Sequence, residues 1–104
     1  TETFRLIGIY YWLTGKHIQA FAWFKKSLKA GIKLGAWPEF ARTCMEIVKR
    51  MLEKESKSRK SINVRAGRYL EKALLLFRKM GLKKDLEELD NIISRAKSRN
   101  IFPG

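Results

Sequence analysis

Proline occurs at only two of the 104 positions, Pro38 and Pro103, and neither interrupts a long segment. Stretches rich in Ala, Leu, Lys, Arg and Glu therefore run free of the residue that most strongly breaks a helix. Within them apolar residues recur at three- and four-residue spacing, and glycines fall between them. That pattern predicts an all-α chain of about five helices.

The first expected helix covers about Glu2–Thr14 and is apolar round most of its circumference, so it should have neighbours on more than one side. Gly15 suits the left-handed position that ends it. The second runs about His17–Leu34, with Ile18, Phe21, Phe24, Leu28 and Ile32 on one stripe and Lys25, Lys29 and Lys33 stacked on another face beside Lys26. Gly35 and Pro38 separate it from a third helix over about Pro38–Lys54. The stretch of about 55–66 is basic and serine-rich and reads as a loop. A fourth helix then begins within Asn63–Gly67 and ends at Met80, and a fifth covers about Lys83–Arg99. Asp85, Glu87 and Glu88 at its start and Arg95, Lys97 and Arg99 at its end suit the helix dipole.

This length suits one domain with one core. One cysteine, Cys44, excludes an internal disulfide, and one histidine, His17, excludes a metal site built from several Cys or His. The longest apolar runs, Ile9–Leu13 and Ala73–Phe77, fall far short of the roughly 20 residues of a membrane span. With no leader pattern at Thr1, a cytoplasmic location is the expectation. Twenty-three Lys and Arg against ten Asp and Glu give a net charge of +13, which suits an anionic partner: nucleic acid, an acidic protein or an anionic membrane.

The second and fourth helices share a pattern: Ala20 to Phe24 followed by two lysines, and Ala73 to Phe77 followed by Arg78 and Lys79. Phe4, Ile7, Gly8 and Tyr11 on the first helix, Gly15 in the turn, and Ala20, Phe24 and Ser27 on the second stand at the spacing of a tetratricopeptide repeat, the helix–turn–helix unit of about 34 residues. Residues 1–34 resemble that family, with Ile32 where its closing proline stands. The second unit is looser, with Val48 in place of the glycine and Met80 in place of the small residue. Glu39–Thr43 and Glu71–Gly81 are also similar to the C-terminal repeats of large bacterial signalling ATPases.

The resemblance implies antiparallel helix pairs stacked as a superhelix: residues 1–36 as one repeat, 37–81 as a second, 82–100 as a capping helix and 101–104 as a tail. Gly8 would let the two helices approach closely, with Tyr11 and Phe24 filling the space around that contact. Units of this kind bury their faces on neighbours, and nine of the twelve aromatics lie in residues 1–40. The first helix is therefore expected to meet another repeat or a second copy, and the chain to be a piece of a longer protein.

Catalysis finds little support. His17 reads as a solvent-facing turn residue, Cys44 as a buried small side chain, and the acids of the fifth helix as dipole-matched surface. The glycines are too scattered to form a phosphate loop, and Trp23 reads as packed. No cofactor is implied. In the family a peptide lies in the groove lined by the first helix of each pair. By that resemblance the groove candidates are Arg5, Ile9, Trp12, Leu13, Arg42, Met45, Lys49 and Leu52. Arg5, Arg42 and Lys49 would favour an acidic segment. Lys25, Lys26, Lys29 and Lys33, with Lys57, Arg59 and Lys60 of the expected loop, form a second basic surface on the outer side. The leading expectation is a non-catalytic protein-interaction module in a regulatory or signalling protein. The alternative is a nucleic-acid-binding domain that uses its basic surface.

Overall fold

The computed structural model describes residues 2–53 and 59–98. They form α1 (Glu2–Leu13), α2 (His17–Leu34), α3 (Trp37–Glu53), α4 (Arg59–Met80) and α5 (Lys83–Ser98), with no strand among the described residues. Four helices fall within one residue of their expected ends. The exception is α4, which starts at Arg59, so residues 59–66 of the expected loop are helical. Its first residues, Arg59–Ser61, carry no apolar side chain for periodicity to detect. It also holds no glycine before Gly67 and no proline, and extending an existing helix costs far less than starting one. The remainder of the loop and the tail 101–104 lie outside the described residues.

Three of the four connections are built alike. Gly15, Gly35 and Gly81 have φ of 83°, 65° and 66°, a region that side chains disfavour. After each, the next residue's amide reaches back five positions: Lys16 to Tyr11 at 2.8 Å, Ala36 to Gly31 at 2.9 Å and Leu82 to Phe77 at 3.0 Å. The glycine amide itself bonds to the carbonyl three residues back, which satisfies helix-end carbonyls in the Schellman pattern. The carbonyls of Lys16, Ala36 and Leu82 then accept the first bonds of the following helices, from Ala20, Phe40 and Leu86. Connections this short force antiparallel neighbours.

Sequential helices pack on one another, and α3 also meets α5. Helices α1, α3 and α5 border one cleft and are taken together as one layer, with α2 and α4 as the other. The molecule measures 36 × 32 × 19 Å, and its short dimension matches two helix diameters. Helix α3 lies at the centre and buries nine of its residues, including the polar Thr43 and Arg50. One core cluster joins Ala41, Cys44 and Val48 of α3 to Ala73 and Phe77 of α4 and Leu89 and Ile92 of α5. A second joins Trp12, Ala20, Phe24 and Ile47, with Tyr69 of α4 packed against it.

Small residues set the spacing between α1, α2 and α3. A β-carbon on Gly8 would lie 2.5 Å from the Phe24 ring and 3.1 Å from the Ala20 carbonyl oxygen. One on Gly31 would lie 3.2 Å from Phe40 Cβ. Between these contacts the fully buried hydroxyls of Ser27 and Thr43 share a hydrogen bond of 2.8 Å.

Candidate functional site

The three helices of one layer converge on a cleft of about 110 Å³, lined by Arg5, Arg42, Met45, Glu46, Lys49, Asp85, Glu88 and Ile92. Four of the eight groove candidates meet there: Arg5, Arg42, Met45 and Lys49. Helical spacing explains why α3 dominates the wall, since Arg42, Met45, Glu46 and Lys49 lie three and four residues apart on one face.

The other four candidates are placed elsewhere. Trp12 is 8% exposed and stacks on His17 with ring centroids 3.8 Å apart and 14° between planes. Phe21 meets its edge at 5.5 Å, and the Arg50 guanidinium lies 5.9 Å from its centroid. Trp12 is thus a packing residue rather than a groove anchor, and His17 is a half-buried stacking partner rather than a solvent-facing one. Leu52 belongs to the core between α3 and α4. Ile9 packs against the Trp12 cluster. Leu13 is 72% exposed but does not line the cleft, and together with Leu6 and Tyr10 it leaves an apolar stripe open on α1.

Within the cleft the arginines are already engaged. Arg5 Nε donates to Glu39 Oε2 at 3.3 Å, and Arg42 donates to Glu39 Oε1 at 3.5 Å. Arg42 also grips Asp85 with two bonds, Nε to Oδ1 at 3.1 Å and Nη2 to Oδ2 at 3.3 Å. The Asp85 hydrogen bond raises the Arg42 pKa above its ordinary value, outweighing the opposing effect of burial. A chain of ion pairs thus runs from α1 through α3 to α5. Its acidic members were not separable in the sequence, where Glu39 and Asp85 are ordinary first-turn acids that suit the helix dipole. Glu39 and Arg42 are visibly one turn apart, but nothing local marks Asp85 as their partner. Lys49, by contrast, has no ion-pair partner among the described residues.

Also on α3, Arg50 donates to Glu53 at 3.0 Å and to the cleft residue Glu46 at 3.4 Å. Lys25, Lys26, Lys29 and Lys33 are all exposed on α2, and Lys26 Nζ sits 4.1 Å above the Trp23 ring. Lys57 lies outside the described residues, as do the side chains of Arg59 and Lys60. Cys44 is fully buried, and desolvation pushes its thiol pKa up to about 12. Among the described residues no three His, Cys, Asp or Glu are grouped to hold a metal ion, and no helix is long and apolar enough to cross a membrane.

No protein-family model matches the chain, and no match was found among the curated proteins or the solved structures.

Proposed function

We propose that the chain is a non-catalytic protein-interaction module of tetratricopeptide type, which takes a short segment of a partner protein in the cleft between α1, α3 and α5. The carrying observation is that cleft, where three helices distant in sequence meet around Met45 and Ile92. The repeat reading is supported by the order of helix packing, with each helix on the next and α3 also on α5, and by three turns of one construction. It is further supported by the close approach at Gly8, where the motif calls for a residue without a side chain. The one histidine is stacked on Trp12 and the one thiol is held protonated, which suits a role without chemistry.

The charge preference of the cleft is narrower than three cations suggest. Arg5 and Arg42 are bonded to Glu39 and Asp85, so a strongly acidic segment would have to displace those carboxylates. Lys49 has no ion-pair partner among the described residues and could meet one carboxylate, while Met45 and Ile92, each 6% exposed, give the cleft a small apolar spot. The segment is therefore one that sets an apolar side chain beside a single acid. A hydrogen bond to a charged group is worth about 1.5–3 kcal/mol. Selection of displayed peptides on the folded chain should enrich that pattern, and Lys49→Glu should weaken the selected peptides by about tenfold or more while leaving the circular dichroism melt unchanged. Enriched peptides that bind Lys49→Glu as well as the parent would reject the placement.

A further inference from the structure

Charge is sorted between the two layers. The layer formed by α1, α3 and α5 is neutral helix by helix: one acid and one base on α1, three of each on α3, four of each on α5. The other layer is not. Helix α2 carries four lysines and no carboxylate, and α4 carries seven Lys and Arg against Glu71 alone. These two helices hold ten of the chain's thirteen net positive charges.

The cations of this layer whose side chains are described are exposed. On α2 the buried residues are Ala20, Phe24, Ser27 and Gly31, and all four lysines are exposed between them. On α4 Ala66, Ala73 and Phe77 are buried, while Arg65, Arg68, Lys72, Arg78 and Lys79 are exposed. Lys25, Lys29 and Lys33 follow one another at about 6 Å along the helix axis. No ion pair engages any of the exposed cations of this layer among the described residues. A surface whose charge is not internally neutralised attracts anions from a distance.

From this segregation we infer that the α2/α4 layer binds the phosphate backbone of nucleic acid without reading its sequence. A row of exposed cations on each of the two helices suits a repeating row of phosphates, where each neutralised phosphate releases counterions. An anionic membrane is the rival surface, because Ile18, Ile32 and Leu34 of α2 and Leu75 of α4 are exposed on the same two helices, so vesicles form the second arm of the test. The binding face is separate from the cleft, so the two can be tested apart.

The test is fluorescence anisotropy with a labelled 20-base-pair duplex of mixed sequence, titrated at several salt concentrations, together with vesicles containing anionic lipid. The expected result is binding at low salt with a log–log salt slope of about −3 to −5, the signature of roughly three to five neutralised phosphates. Lys25→Gln/Lys29→Gln/Lys33→Gln should weaken binding at least tenfold and flatten the slope by about two units. Arg68→Gln/Lys72→Gln/Lys79→Gln should do the same from the other helix, whereas Lys49→Gln in the neutral layer should leave both quantities unchanged. No duplex binding at 50 mM salt would overturn the inference. So would a slope unaffected by either triple substitution, an equal loss in Lys49→Gln, or tighter binding to the vesicles than to the duplex.

Discussion

Gly8 and Gly67 are both helical glycines, and the same substitution should move stability in opposite directions at the two. Replacing a helix-interior glycine by alanine gains about 1 kcal/mol from backbone entropy and propensity. At Gly67 nothing lies within 4 Å of the new β-carbon, so that gain should appear nearly whole. At Gly8 the new atom would meet the Phe24 ring at 2.5 and 2.6 Å and the Ala20 carbonyl oxygen at 3.1 Å. The ring must retreat by about 1 Å to reach ordinary contact, and Phe24 is fully buried with Phe21 at 5.9 Å on its edge. Overpacking of this kind costs about 1–3 kcal/mol, and here the upper part of that range applies because the ring has no open space to enter. Gly8→Ala should therefore lose about 1–2 kcal/mol net, and Gly67→Ala should gain about 0.5–1 kcal/mol. For a domain of this size the melting temperature should fall by about 5–15 °C in the first case and rise by about 3–6 °C in the second. Thermal and urea melts followed by circular dichroism would measure both. Adding Phe24→Leu to Gly8→Ala should cost less than the two changes summed, because the shorter side chain relieves the clash. A Gly8→Ala protein as stable as the parent would refute the close-packing account of the α1–α2 contact.

Other outcomes follow from the same contacts. Ser27→Ala removes a buried hydroxyl partner of Thr43 and should cost about 1 kcal/mol, with Ser27→Ala/Thr43→Val costing less than the sum of the single changes in urea melts. Asp85→Asn loses the two-bond grip of Arg42 and should lower stability by about 0.5–1 kcal/mol at low salt, a difference that shrinks as salt is added. The Cys44 thiol should resist a thiol reagent at pH 8 in the folded chain and react once the chain is unfolded in urea. Its raised pKa also carries a sign. The folded state keeps the thiol proton up to about pH 12 while the unfolded chain gives it up near 9.0, so this group's contribution to stability is whole below pH 9 and is lost as pH rises between those values.

Helix ends were legible because they are written locally. Gly15, Gly35 and Gly81 each stand where a left-handed residue ends a helix, and apolar spacing marks the stripe between them. The inward position of Cys44 follows from the same three- and four-residue rule, whereas the close approach at Gly8 was an expectation of the repeat resemblance. The start of α4 was not legible, because its first residues, Arg59–Ser61, are basic and polar with no apolar side chain.

Trp12 shows the limit most clearly. Its place in the last turn of α1 was correct, but its environment is made by His17 across a turn and by Arg50 from another helix, 38 residues away. The cleft repeats the lesson with charge. Three of its cations could be named in advance, yet Arg5 is joined to Glu39 across 34 residues and Arg42 to Asp85 across 43. Helical periodicity reports which face a side chain occupies, because that depends only on neighbours along the chain. Whether a charge on that face is free or neutralised depends on which helix lies opposite. By itself the sequence determined the five helices, their turns and the total of +13. Tertiary packing decided which of those charges are paired, because Arg5 meets Glu39 and Arg42 meets Asp85 only where α1, α3 and α5 border one cleft, whereas the exposed cations of α2 and α4 meet no carboxylate among the described residues.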